Sequence, residues 1–222
     1  MARYTGADCK LCRREKVKLF LKGSKCDSPK CPIEIRPYPP GEHGRIRQKD
    51  SEYLLQIREK QKARRVYGIL ERQFHGYYEE ATRKRGMTGE NLLQILESRL
   101  DNIVYRAGFA KSRDMARQLV RHGHIKVNGH RVDIPSYRVT ENDVVEVTAK
   151  SLELTPMVIA RAVAGEKTVP AWLEVMPDQM RILVHQLPVR AQIETQVQEQ
   201  LIVEYYSKSF SGFKSPAILA GA

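Results

Sequence analysis

The chain has 222 residues, 41% of them hydrophobic, and a formal net charge of +12. This length allows one large domain or two small ones, and the hydrophobic content excludes a globally disordered chain. A sequence pI of about 9.6 points to a polyanionic partner, RNA or DNA ahead of an anionic membrane surface.

The charge is uneven. Residues 1–50 carry 13 Lys/Arg against 6 Asp/Glu, a net of +7. Residues 51–98 give +2, residues 99–150 give +4 and residues 151–222 give −1. The polyanion is therefore expected on the first two thirds, with the last third structural. No apolar run approaches the ~20 residues that cross a bilayer, and MARYTGADCKLCRREK holds no signal-peptide apolar core. A cytoplasmic location is expected.

All four cysteines fall in the first 31 residues: Cys9, Cys12, Cys26 and Cys31, spaced C-x2-C-x13-C-x4-C. Two close thiolate pairs joined by a short loop suit tetrahedral zinc, with no open position for catalysis. Free or disulfide-bonded cysteines are the bland alternative, and four thiolates can also hold an iron–sulfur cluster. A unit this small needs the metal to fold. Arg3, Lys10, Arg13, Arg14, Lys16, Lys18, Lys22, Lys25 and Lys30 surround it, either as a solvated face or as phosphate ligands.

The next span, Arg36-Pro37-Tyr38-Pro39-Pro40-Gly41-Glu42-His43-Gly44-Arg45-Ile46-Arg47, forbids a regular helix or central strand. It reads as an extended segment. Arg36, Tyr38, His43, Arg45, Arg47 and Lys49 are its candidate RNA contacts, a plain linker being the alternative.

Ser51 is the expected N-cap of a helix closed at Gly68. Tyr53, Leu54, Ile57 and Val66 mark its apolar side; Arg58, Lys60, Lys62, Arg64 and Arg65 crowd the rest. A second helix is expected from about Leu70 to Lys84. It offers Arg72 as a further contact and Phe74, Tyr77 and Tyr78 as packing residues. After a break at Gly86–Gly89, another helix runs from Thr88 to Arg99, burying Leu92, Leu93, Ile95, Leu96 and Leu100.

Ile103, Val104 and Ala107 continue at helical spacing until Gly108. Ser112 caps the following helix, whose inward stripe is Met115, Ala116, Leu119 and Val120. Arg113, Arg117 and Arg121 are four apart, which predicts one outward cationic face. Gly123 fits a left-handed C-terminal position. Ile125 and Val127 then lead into Asn128-Gly129, a type I′ hairpin signal, with Val132 and Ile134 on the returning strand. His122, His124, Lys126, His130 and Arg131 place donors on the same edge. The histidines lack a neighbouring cysteine or carboxylate that would complete a metal site.

Further on, 143–148 alternates like a strand, 151–164 can be a helix, and 171–175 and 181–185 read as short strands extending the hairpin's sheet. Trp172 is expected in the core. Residues 198–206 read as an apolar strand or short helix end returning to the helical region, and 207–222 as a mobile tail. The fold class is α+β: a metal-bound arm (1–45), a helical domain (46–98, completed by about 186–206), an RNA-binding module of helices on a small antiparallel sheet (99–165, extended by about 166–185), and the tail.

The stretch RLDNIVYRAGFAKSRDMARQLVRHGHIKVNGHRVDIPSYRV resembles the RNA-binding module named after small-subunit ribosomal protein S-four. RYTGADCKLCRRE, RPYPPGEHG, REKQKARRVYGILERQF and TGENLLQILESRLDNIVYRAGFAKSRDMARQLV extend the resemblance to the bacterial S-four family over roughly residues 1–206, weakest at 151–198. The four cysteines resemble those of its metal-binding branch. This implies a structural protein of the 30S subunit that binds a five-way junction in the 5′ domain of 16S rRNA and helps nucleate assembly. It also implies contact with ribosomal protein S-five, a place beside the mRNA entry path (Arg45, Arg47 and Lys49 match that basic segment in position), effects on decoding accuracy, and in some bacteria repression of the protein's own mRNA. No phosphate loop, nucleophile elbow or zinc-protease motif is present, so a binding protein with no small-molecule substrate is expected. Two alternatives share the module: an RNA-modifying enzyme of the pseudouridine synthase type, and a free zinc-knuckle regulator.

Overall fold

A computed structural model of the chain describes residues 3–46, 49–164 and 168–211. Ten α-helices and one five-stranded sheet make up the described part. Three short arm helices come first: α1 (Asp8–Glu15), α2 (Ser24–Asp27) and α3 (Pro32–Ile35). A single 3-10 turn at Glu42–Arg45 interrupts the segment expected to be wholly extended. Its sequence-mate Arg47 lies outside the described residues.

Helix α4 (Glu52–Val66) starts where its cap dictates, with the Leu54 N–H donating to Ser51 Oγ at 3.3 Å. It stops where Gly68 takes φ +64°. Its buried stripe differs from the expected one. Gln56, Lys60, Ala63 and Val66 face inward, whereas Tyr53 is 60% exposed and leans on Tyr205 at a ring distance of 5.8 Å. Lys60 tolerates burial because its ammonium donates to Glu71 Oε1 at 2.6 Å and lies 4.6 Å from the Tyr205 ring centroid.

Helix α5 (Glu71–Arg83) buries Phe74, Tyr77 and Tyr78, as core residues rather than stacking platforms. Helices α6 (Thr88–Glu97) and α7 (Leu100–Arg106) are two, not one. No glycine or proline separates them. The break comes from tertiary pairing: Arg99 turns extended, forms an isolated bridge to Arg138, and Leu100 N–H donates to the Tyr137 carbonyl at 2.9 Å.

Helix α8 (Arg113–Arg121) is capped by Ser112, whose Oγ accepts from the Met115 N–H at 3.2 Å. The hairpin β1 (Ile125–Val127) and β2 (His130–Arg131) turns through Asn128 and Gly129, both at positive φ. Asn128 locks it, accepting from the Val144 N–H at 2.9 Å and donating to Asp143 Oδ1 at 2.8 Å. The returning strand is shorter than expected: it ends at Arg131, and Ile134 is 52% exposed in the loop beyond. Strands β3 (Val144–Val147), β4 (Leu173–Met176) and β5 (Arg181–Val184) complete an antiparallel sheet of order β2-β1-β3-β5-β4. The two late strands thus extend the hairpin's sheet. Between them and β3, α9 (Thr155–Ala162) begins four residues later than expected, at Pro156 in its first turn. The last element is a helix, α10 (Glu199–Ser211), packed on α4 and α6. Residues 207–211, expected in the tail, are therefore its final turn, and the rest of that tail lies outside the described residues.

Two apolar clusters result. One joins the arm (Cys12, Leu19, Cys31, Ile33) to α4–α6 and the returning residues Ile193, Val197, Ile202 and Tyr206. The other joins α7, α8 and the sheet, with Trp172 only 1% exposed.

Gly123 ends α8 at φ +72°, and a Cβ there would sit 2.0 Å from Arg131 Nε. Arg131 folds across this glycine and donates through Nη2 to the His122 carbonyl at 3.2 Å. Gly123→Ala should cost about 1–2 kcal/mol through the left-handed backbone alone, and it should also displace Arg131. Thermal unfolding checks the first effect; an unchanged Tm would contradict it.

Candidate nucleic-acid interface

The arm is built around its thiols. Cys9 and Cys12 lie one turn apart on α1, Cys26 lies on α2, and Cys31 precedes α3. Three are buried, Cys9 is half-buried, and none is in a disulfide. The Lys22 N–H donates to Cys26 Sγ at 3.4 Å. Burial, then the neighbouring thiols, push the Cys12 and Cys26 thiols upward against a backbone hydrogen bond that draws each down. The short arm thus carries all four thiols on or beside its three helices, and an N–H group aimed at sulfur, as from Lys22 to Cys26, is what a thiolate metal shell uses. The chemistry of the donor set suits zinc. As placed, no three His, Cys, Asp or Glu side chains among the described residues close into a metal-holding group.

The proline-rich segment docks on α1 through Tyr38. Arg13 Nε donates to the Tyr38 carbonyl at 3.0 Å. The Arg13 and Arg45 guanidinium carbons lie 5.0 and 4.7 Å from the Tyr38 ring centroid. Tyr38 is thus a clamp between two cations, with Arg45 left exposed.

The expected contacts divide by environment. Arg14, Lys30, Arg36, His43, Lys49, Arg72 and Arg121 are exposed, and none bonds a carboxylate among the described residues. Arg3 and Lys22 are also exposed, Lys22 standing 3.7 Å from Asp8. His122 is exposed beside half-buried His124, whose Nδ1 is 2.9 Å from Ser151 Oγ. Burial, then the His122 and Arg131 charges, lower the His124 pKa. Lys126, on β1 between β2 and β3, is half-buried with Arg131 and Glu146 as its cross-strand neighbours, and Asn128 and Arg131 are committed to turn and cap.

Several cations are structural instead. Lys60 is buried against Glu71. Arg65 pairs with Glu15, which Arg58 also reaches at 3.4 Å. Arg64 donates to Gln61 Oε1 at 2.7 and 3.0 Å, and Lys62 pairs with Glu59 at 2.5 Å.

The largest correction concerns α8. Arg113, Arg117 and Arg121 do not form one outward face. Arg117 is 8% exposed, with Nη1 3.4 Å from Asp101 Oδ2. Arg113 is half-buried, Nε donating to Asn102 Oδ1 at 2.9 Å, with its guanidinium carbon 4.4 Å from the Tyr105 ring centroid and 5.1 Å from that of Tyr67. Only Arg121 faces solvent. Steps of four residues drift by about 40° around a helix, so Arg113 and Arg117 turn toward the polar edge of α7 and Arg121 leaves it.

That edge is a charged seam the spacing rules overlooked. Arg99 is fully buried and grips Asp101 at 3.0 and 2.6 Å while donating to Tyr77 Oη at 2.7 Å. Arg106 grips Glu97 at 3.1 and 2.8 Å and reaches Glu194 at 2.8 Å. Glu97 also accepts from Tyr67 Oη at 2.6 Å and from Asn102 Nδ2 at 2.5 Å. Burial would push Glu97 up, but Arg106, joined by Arg113 and the Tyr67 hydroxyl, outweighs it and holds the carboxyl below its ordinary range. The signal was available: alternating charges set inside the otherwise apolar run LLQILESRLDNIVYRAGF.

Where the arm, the α4–α5 turn and α8 meet, a cavity of about 120 Å³ opens, lined by Arg3, Arg64, Arg65, Arg113 and Arg117 with Asp8, Asp101 and Asp114. No described helix is long and apolar enough to cross a membrane.

Residues 3–97 match the family model described as the ribosomal protein S4/S9 N-terminal domain, and residues 98–145 match that of the S4 domain. The chain is similar to the small ribosomal subunit protein uS4 of Acidothermus cellulolyticus, 79% identical over 208 residues, 94% of this chain and 100% of that relative. It is also similar to the protein of that name from Frankia casuarinae (74% over 209 residues, the same shares) and from Dictyoglomus turgidum (60% over 208 residues, the same shares). These relatives are structural ribosomal proteins and not enzymes, which removes the RNA-modifying alternative. On matches that span nearly its whole length, the chain belongs to the family of small ribosomal subunit protein uS4.

Proposed function

We propose that this protein is an rRNA-binding structural component of the small ribosomal subunit. It would clamp a junction in the 5′ domain of 16S rRNA and help nucleate assembly. The observation that carries the reading is likeness to uS4 over 94% of the chain, combined with exposed, carboxylate-free cations on the arm, α5 and α8. Recognition is of backbone and junction shape: Arg14, Lys30, Arg36, Arg72 and Arg121 meet phosphates, with little base readout. Zinc held by Cys9, Cys12, Cys26 and Cys31 would keep the cationic arm in one conformation. Arg45 and Lys49 would border the mRNA entry path, and ribosomal protein S-five would be a neighbour, linking the protein to decoding accuracy.

The test is a chemical footprint of the full chain on 16S rRNA. Protection confined to the 5′-domain junction is expected; protection spread evenly, or none, sinks the proposal. Sedimentation decides against a free regulator: the cellular protein should travel with 30S particles.

Arg72→Ala and Arg121→Ala should each weaken rRNA binding and flatten the log K against log salt slope by about one unit. Lys60→Ala should leave that slope unchanged, since its ammonium is committed to Glu71. A slope unaffected in both surface variants would mean those faces point away from RNA.

A further inference from the structure

The cavity between arm, helical layer and module has the chemistry of an anion site. We infer that it takes a single phosphate group of the RNA backbone, gripped by Arg113 and Arg117 from α8 and by Arg3 from the arm. The inference rests on the rRNA-binding reading for the source of the phosphate, and on geometry alone for the phosphate itself.

Arg113 is organised before any ligand arrives. Two tyrosine rings flank its guanidinium, at 4.4 and 5.1 Å, and Asn102 fixes Nε at 2.9 Å. Both Nη groups are left as a fork, which is the geometry that meets two phosphate oxygens at once. Arg117 is nine-tenths buried, yet among the described residues its one hydrogen bond is a long 3.4 Å contact to Asp101 Oδ2. That same oxygen already accepts from Arg99 Nη2 at 2.6 Å. Asp101 is therefore shared between Arg99 and Arg117, and with five arginines against three aspartates the cavity lining carries an excess of positive charge. Arg65 Nε, also on the cavity wall, is buried without a hydrogen-bond partner.

The acidic residues do not reverse this balance. Asp8 and Asp114 stand in the first turns of α1 and α8, where the helix dipoles offset them. The space, about 120 Å³, is well below the roughly 300 Å³ at which organic-ligand pockets begin; it suits one tetrahedral anion. A phosphate here would join Arg3 of the arm to Arg113 and Arg117 of the module. Binding RNA would then also lock the arm onto the module.

The experiment has two arms, both on the full chain. In the first, inorganic phosphate is titrated against chloride at matched ionic strength and Tm is read. A saturable rise of several degrees is expected for the wild type, lost in Arg113→Gln and in Arg3→Gln. The second variant alters an exposed residue and leaves the fold intact. General salt stabilisation would be unsaturable and would persist in both variants; that result, or no rise at all, overturns the site.

In the second arm, binding to a 16S rRNA fragment is measured against salt. Arg113→Gln should weaken it about 10- to 100-fold, the range for one bidentate charged contact, and reduce the slope by about one unit. A phosphate effect lost with the rRNA slope unchanged would assign the cavity to the free ion and overturn the RNA source. Wild-type protein that responds to phosphate but fails to bind rRNA would instead sink the functional reading and leave the site standing.

Discussion

Arg106→Ala should destabilise the protein by about 3–5 kcal/mol, the cost of leaving a buried charge without its partner, and lower Tm by roughly 6–20 °C. Glu97 is 1% exposed and would lose two hydrogen bonds from one guanidinium. The damage would reach both clusters. Glu97 ends α6 in the helical layer, Arg106 ends α7 in the module, and Glu194 and Thr195 bond Arg106 from the returning segment.

The pH dependence sharpens this prediction. Arg106 holds the Glu97 pKa below its ordinary value. A depressed folded pKa means the contribution is fully present above the unfolded value of about 4.3 and is lost as pH falls through the folded one. Without Arg106, burial dominates and the carboxyl prefers its proton. Acidification from neutral pH should therefore narrow the gap between wild type and variant. Chemical denaturation at neutral pH and near pH 4 measures both; a gap that widens in acid would show that Glu97 does not carry the effect.

The second large effect concerns the arm. On the proposal that the four thiols hold zinc, Cys9→Ser with Cys12→Ser should abolish the one equivalent of zinc expected in the wild type and unfold roughly the first 45 residues. Structural zinc supplies about 10–16 kcal/mol in units of this size. The arm's own apolar contribution to the helical core is small, Cys12, Leu19, Cys31 and Ile33. The sheet and α7–α8 rest on the separate second cluster, so their amide exchange protection should persist. Metal content by mass spectrometry reads the first outcome, and zinc retained at one equivalent in the double variant would refute the four-thiolate site.

The seam between α6 and α8 shows why some of the site was hidden. Arg113, Arg117 and Arg121 look identical in sequence: three arginines, four apart, opposite an apolar stripe. Their environments differ because α7 presents Asp101 and Asn102 to the first two and nothing to the third. Lys60 follows the same logic, indistinguishable from Lys62 in a cationic run until Glu71 and Tyr205 arrive from other elements. The helix break at Arg99 carries no turn residue because its cause is a backbone pairing with residues near Arg138.

The sequence by itself determined what depends on neighbours along the chain. Ser51 and Ser112 capped their helices, Gly68 and Gly123 ended them, Asn128-Gly129 turned the hairpin, and apolar periodicity separated core from surface, since each rests on hydrogen bonds or torsions spanning a few residues. The motif string likewise marked the family. Only the tertiary structure decided which cations face solvent. A guanidinium or ammonium is held inside by a carboxylate or ring delivered from tens of residues away, and one-dimensional spacing contains no record of that partner. Three dimensions moved Lys60 and Arg117 from candidate surface charge to buried structure, and gathered Arg3, Arg113 and Arg117 around one cavity.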